Sequence, residues 1–283
     1  MRFINFTSFT QSVQNLSKDL STAVFFYHSK MSDYLILSCA AFCAGLIDAI
    51  VGGGGLITVP AIFSSFPNVT PATLLGTNKL GAIFGTTSAA INYARVVKIK
   101  WRVALPGAIG AFLFCFCGAY TVMHVSADFL RKALPFVLVL VALYTFKRKD
   151  LGQVHKPVYF GRTEIVLAFV FGAGIGFYDG FFGPGTGSFL IFIFVRYFGF
   201  DFLSSSAISK IINVATNGAA LLLFGLSGHV FWQVGLLMAF FAVLGSLIGS
   251  RLAIKHCSSF VRVLFLVVVG VLILKTFYDA YLR

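Results

Sequence analysis

Acidic residues are scarce. Asp and Glu together number nine in 283 residues, and all charged types make up 11% of the chain. A soluble domain carries ~25% charged residues. So low a charge excludes an ordinary water-facing surface, and the 58% hydrophobic content makes lipid the alternative solvent. Cysteine is sparse as well. Four of the five, Cys39, Cys43, Cys115 and Cys117, lie inside apolar runs, and Cys257 lies near the end of the chain. No His or carboxylate stands near them at metal-ligand spacing, so they read as free thiols packing as small hydrophobes. Neither a metal nor a disulfide is expected, nor any other cofactor. The histidines, His28, His124, His155, His229 and His256, fall near segment ends and form no His-Glu-x-x-His. A Walker-type Gly-x-x-x-x-Gly-Lys-[Ser/Thr] is also missing. Nothing in the sequence marks an enzyme.

Positive charge is present, at a formal net of +13. In a soluble protein this suggests nucleic acid. Here Lys and Arg cluster between apolar runs, as loop charges do in a multi-pass membrane protein. The bilayer is the expected partner and nucleic acid is not. Residues 1–32 form a polar tail, read as cytoplasmic or interfacial, and two units follow over 33–150 and 151–283.

The expected fold is an all-α polytopic membrane protein of about eight transmembrane segments, arranged as two four-segment repeats. A bilayer core of ~30 Å needs about 20 apolar residues in a helix. Segments are expected near 74–94, 103–124, 129–146, 203–226, 231–253 and 260–281. Two longer stretches, 33–66 and 163–199, are each broken by glycine, at Gly52-Gly53-Gly54-Gly55 and at Gly183-Pro184-Gly185-Thr186-Gly187. Irregular backbone at membrane depth survives only inside protein or beside a water-filled cavity, and discontinuous helices of this kind mark transporter sites. A plain loop between two short helices is the competing reading. Basic loops stand at Arg95 to Arg102, at Lys147 to Arg162 and around Arg251, Lys255 and Arg262. If the broken stretches cross, eight spans result; if they re-enter as hairpins, three crossings remain per unit and the units are inverted. Loop charge leaves both open, with a slight lean to eight spans.

The chain repeats itself at an offset of 131. That offset pairs Gly45 with Gly176, Asp48 with Asp179, Gly52 with Gly183, Gly54 with Gly185 and Lys79 with Lys210. It also pairs Trp101 with Trp232, Gly118 with Gly249 and Arg131 with Arg262. Roughly a fifth of the positions over 45–146 and 176–277 are identical, against about 8% expected by chance for this composition. The matched types carry more weight than the number, because shared hydrophobicity does not explain paired Asp, Lys and Trp.

A lysine inside a membrane segment is costly and normally faces a cavity or a partner, or snorkels to the headgroups. Asp48 and Asp179 each stand one turn before a break, where the carbonyl end of a helix disfavours a carboxylate. Each therefore needs a donor: a lysine across the break, a proton, or the glycine loop. A structural ion pair is the bland form of the same idea. Free N–H groups at the start of the next half-helix bind anions. Together with the two lysines, they favour a small anion over a cation. The candidate substrate-binding residues are Gly52, Gly53, Gly54, Gly55, Asn78 and Lys79 from the first unit. From the second they are Gly183, Gly185, Thr186, Ser209, Lys210 and Asn213. Asp48 and Asp179 serve as a coupling or structural pair. Thr86 and Asn217 either line a pathway or bond between helices.

The stretch Gly45-Leu46-Ile47-Asp48-Ala49-Ile50-Val51-Gly52-Gly53-Gly54-Gly55-Leu56, followed by Gly76-Thr77-Asn78-Lys79, resembles the sulfite exporter TauE/SafE family. The second unit echoes it with Asp179, Gly183 to Gly187 and Ser209-Lys210, departing from it at Pro184 and Thr186. The resemblance covers about 33–283. It implies a multi-pass secondary transporter, an exporter of sulfite or an organosulfonate, in a bacterial inner membrane. The alternatives are an anion channel and a non-transporting assembly partner. A homo-oligomer is left open.

Overall fold

The structure, a computed structural model, describes residues 31–146 and 156–255 together with 274, 277, 278 and 281. The chain divides into two compact parts, Met1–Ile36 and Leu37–Arg283. Of the first, only Met31–Ile36 lie among the described residues. The polar tail expected over 1–32 lies outside them apart from its last two residues. The unit boundary at 150 and most of the segment expected at 260–281 also lie outside them.

The described residues form helices without strands: α1 Met31–Val51, α2 Gly55–Ser65, α3 Pro71–Ala94, α4 Trp101–Met123, α5 Ala127–Phe146, α6 Arg162–Phe181, α7 Thr186–Arg196, α8 Phe202–Leu226 and α9 Trp232–Lys255. Five of them, α1, α4, α6, α8 and α9, are long and apolar enough to cross a membrane. Local chemistry sets the boundaries. Pro71 opens α3 with its fixed φ after an extended Thr70. Asp201 caps α8 by accepting from the Ser204 amide at 2.9 Å. Gly52 ends α1 at φ +77°, and Gly183 follows α6 at φ +89°, a conformation glycine adopts without cost. The two arms of each broken stretch are unequal. Each has a full-length first arm, and a second arm of 11 residues, or ~16 Å.

Contacts between glycine backbones fix the helix directions. A Cβ at Gly245 would collide with Phe42, and one at Gly249 with Leu46, so α1 and α9 run parallel. Ser246 donates to the Gly85 carbonyl and Asn92 to Ser250, which aligns α3 with them. On the other side Gly176 packs on Ala111 and Gly180 on Cys115, so α4 and α6 are parallel. Gly107 meets Ile212 and Cys115 donates to the Thr216 carbonyl, which adds α8. Between the sets, Gly76 meets Phe224 and Ile83 meets Gly218, so α3 and α8 are antiparallel. The contacts recur at the 131 offset with the halves exchanged. Gly45 on Ala242 answers Gly176 on Ala111, and Ser246 to Gly85 answers Cys115 to Thr216.

The breaks turn the chain back. Gly54 packs against Ala44 of α1, while Phe66, at the far end of α2, meets Phe231 just before α9. α2 therefore returns towards the level at which α3 begins. The last turn of α7 and the loop after it, Phe194, Phe198 and Phe200, join a buried cluster with Val103 at the start of α4. α5 starts with Arg131 bonded to the Val69 carbonyl at 2.5 Å and reaches Gly185 at Val141. It therefore points the same way as α3. An ion pair that the sequence reading missed ties α4 to α6. Glu164, 3% exposed, forms an ion pair with Lys100 at 2.7 Å and lies 3.7 Å from Arg102.

Close packing without side chains is the feature most easily broken. Gly245→Leu drives a side chain into the α1 backbone and is expected to cost ~1–3 kcal/mol or more. Leu244→Ala, on the outer surface, is expected to stay within ~0.5 kcal/mol. Heating the detergent-solubilised variants and following the monodisperse peak checks this. Equal midpoints would contradict the packing.

Candidate functional site

The two breaks meet. The Ser188 amide donates to the Gly52 carbonyl at 2.5 Å, and its hydroxyl reaches the Val51 and Gly52 carbonyls at 2.9 and 2.6 Å. Gly55 in turn lies against Pro184. Ser188 was not among the sequence candidates. Its one readable signal is a hydroxyl one turn beyond Gly185 in an apolar run.

Around this junction two ion pairs cross between the halves. Lys79 of α3 bonds Asp179 of α6 at 2.6 Å, with both side chains about 5% exposed or less. Lys210 of α8 bonds Asp48 of α1 at 2.9 Å, with exposures of 0% and 18%. The offset of 131 that relates the lysines also relates the aspartates, so each lysine takes its carboxylate from the opposite half. Asp179 uses its second oxygen to accept from Thr186 at 2.6 Å. Lys210 also donates to the backbone carbonyl of Asp48. A cation at that point answers both the carboxylate and the carbonyl end of α1. The aspartates thus stand at the unfavourable end of their helices because a lysine from across the molecule neutralises it.

A cavity of about 60 Å³ opens at the junction. It has room for about four waters or one small oxyanion. Asp48, Asn78, Lys79, Asp179, Thr186 and Asn213 line it, together with Gly52, Gly53, Gly54, Gly55, Gly183 and Gly185. Asn217 and Thr86, read as pathway or packing residues, also line it, and Thr86 lies 3.4 Å from the Asp48 carboxylate. Two of the sequence candidates lie behind the wall. Ser209 is fully buried off the cavity, and Lys210 reaches it only through Asp48.

The lining is rich in hydrogen-bonding groups still to be satisfied. The amides of Gly53, Gly54, Gly185 and Gly187 donate to no backbone carbonyl among the described residues. The side-chain oxygens of Asn78 and Asn213 are buried without a partner. Buried polar atoms are nearly always satisfied, and a carboxamide can turn its N–H end to a guest. The α2 and α7 N-termini open here, where helix dipoles favour negative charge.

The family model of the sulfite exporter TauE/SafE matches residues 37–276. The chain belongs to the sulfite exporter TauE/SafE family. Among similar proteins, the probable membrane transporter protein ORF9 of Sinorhizobium sp is 39% identical over 82% of this chain and 87% of its own. The probable membrane transporter protein YfcA of Escherichia coli K12 is 37% identical, over 87% and 90%. A probable membrane transporter protein of Haemophilus influenzae is 33% identical, over 86% and 94%. No solved structure matches the chain. With its long apolar helices and these relatives, this TauE/SafE member is a multi-pass membrane protein.

The crossed pairing can be tested by stability alone. Lys79→Met or Asp179→Leu leaves a buried charge alone and should cost ~3–5 kcal/mol, while the two together should return close to wild type. Lys79→Met with Asp48→Leu should give additive losses. Coupling in the second cycle but not in the first, measured by thermal unfolding in detergent, would show the pairs to be wrong.

Proposed function

We infer that this chain is a secondary transporter that exports a small sulfur-containing anion, such as sulfite or an organosulfonate, across a bacterial inner membrane. One observation carries the reading: two glycine breaks with free amides, together with Lys79, converge on one small cavity at the junction of two related halves, and Lys210 stands behind its wall on Asp48. Substrate sites at repeat interfaces built from broken helices are the transporter pattern. The relatives' names as probable membrane transporters support transport, and the family's description as sulfite exporters supports the class of cargo.

In this reading each half has four segments, eight in all. The first is a re-entrant hairpin, α1–α2 or α6–α7, whose second arm returns to its own face. α3, α4 and α5 cross, as do α8 and α9; the last segment expected from the sequence, 260–281, lies mostly outside the described residues. Odd crossing numbers invert the second half. The ends of α3, α5 and α9 then share one face, which gathers all three basic loops there. The positive-inside preference makes that face cytoplasmic.

The anion is held by the break amides and by Lys79, Lys210 or both, with Asn78 and Asn213 turning their amide donors inward. The test is flux of labelled sulfite, thiosulfate and sulfoacetate in proteoliposomes, corrected for leak through protein-free liposomes. Lys79→Ala and Lys210→Ala should each slow the transported anion at least ~10-fold, the loss of a charge-assisted hydrogen bond worth ~1.5–3 kcal/mol. Wild-type rates in both variants would sink the site.

A further inference from the structure

The cavity is electrically balanced before any guest arrives. Lys79 is matched by Asp179 and Lys210 by Asp48, so the four groups sum to zero. An anion entering alone would leave one uncompensated negative charge among groups largely buried by the helix packing, which is disfavoured. It would also have to displace a carboxylate to reach either ammonium. One added proton removes both obstacles.

Resting on the transporter reading, we propose that Asp48 and Asp179 are proton carriers and that anion and proton are loaded together. The proton adds to a carboxylate oxygen. The ammonium keeps its three protons and exchanges that carboxylate for the anion. No covalent bond to carbon or sulfur is made or broken. A lysine–carboxylate pair becomes a lysine–anion pair beside a neutral carboxylic acid, and the net charge stays zero. A monovalent anion takes one proton and a divalent anion two, for which there are two aspartates.

The geometry distinguishes the two pairs. Asp179 is 5% exposed with both oxygens held, one by Lys79 and one by Thr186, each at 2.6 Å. Asp48 is 18% exposed, borders the cavity and takes its hydrogen bonds from Lys210 and Thr86 on the same oxygen, Oδ2. In this conformation Asp48 is the aspartate that exchanges its proton with the cavity, at Oδ1. Exchanging the conformations of the two halves would hand that role to Asp179. Among the described residues, the titratable groups facing Asp48 are Lys210 from α8 and Tyr93 from α3. Those facing Asp179 are Lys79 from α3, Cys115 from α4 and Tyr178 of its own helix. α9 brings only Met238 and Ala242 to the cavity.

The experiment uses the full chain in proteoliposomes with labelled sulfite, thiosulfate and sulfoacetate outside and a pH-sensitive dye inside. With the outside more acidic, the wild type should accumulate the anion about tenfold per pH unit for each proton carried. The interior should acidify in step with uptake. Asp48→Asn/Asp179→Asn should lose this accumulation while still exchanging labelled for unlabelled anion, since exchange needs no net proton movement. Lysine-dependent flux that only runs down its own gradient, without a dye signal, would overturn the proposal and leave the transporter reading standing. No lysine-dependent flux for any of the anions would overturn both. A monodisperse Asn/Asn variant that still accumulates anion would remove the aspartates from the role. If that variant fails to fold, the wild-type dye signal and the single variants Asp48→Asn and Asp179→Asn decide.

Discussion

Two lysine charges buried among apolar helices have to be answered inside the protein, and each is answered by a carboxylate from the other half of the chain. Lys79 needs α6 in place and Lys210 needs α1. Neither half can settle its own charges. That requirement explains why α1 packs on α9 and α6 on α4, rather than each hairpin packing on its own half. Glycines at these crossings let backbones approach closely enough for the short side-chain reach that the pairs demand.

The same crossing places the breaks against each other. Ser188 sews one break to the other at Gly52, and the glycines whose amides the breaks leave over line the cavity between them. A site made this way is rigid in its charge balance and rich in donors. Both properties suit an anion that arrives with its compensating proton, and suit a metal ion poorly. The halves are not perfect copies. Glu164 is clamped by Lys100 and Arg102, while the residue 131 positions after Lys100 is Phe231. One face therefore carries an ionic clamp where the other has an aromatic contact between Phe66 and Phe231.

Much of this was legible in the sequence. The offset of 131 singled out the Asp, Gly and Lys positions that the structure gathers, and the glycine runs marked the breaks. An offset tells which residues correspond but not which touch, so the exchange of partners could not be read. The turn-back at the first break could not be read either, because three basic loops fit both topologies and the approach of Gly54 to Ala44 leaves no trace in the sequence. Ser209 shows the same point. Correspondence with Asn78 places it at the site, yet Ser209 is fully buried and does not line the cavity. Ser188 and Glu164 each stand beside other polar residues at the start of an apolar run, where the sequence does not single them out.

An electron cryo-microscopy map of the protein with a transported anion bound would test the central claim most directly. The account predicts density between the Gly52–Gly55 and Gly183–Gly187 stretches, with at least one lysine ammonium turned from its aspartate onto the anion. Density at another place, with both crossed pairs intact, would contradict it.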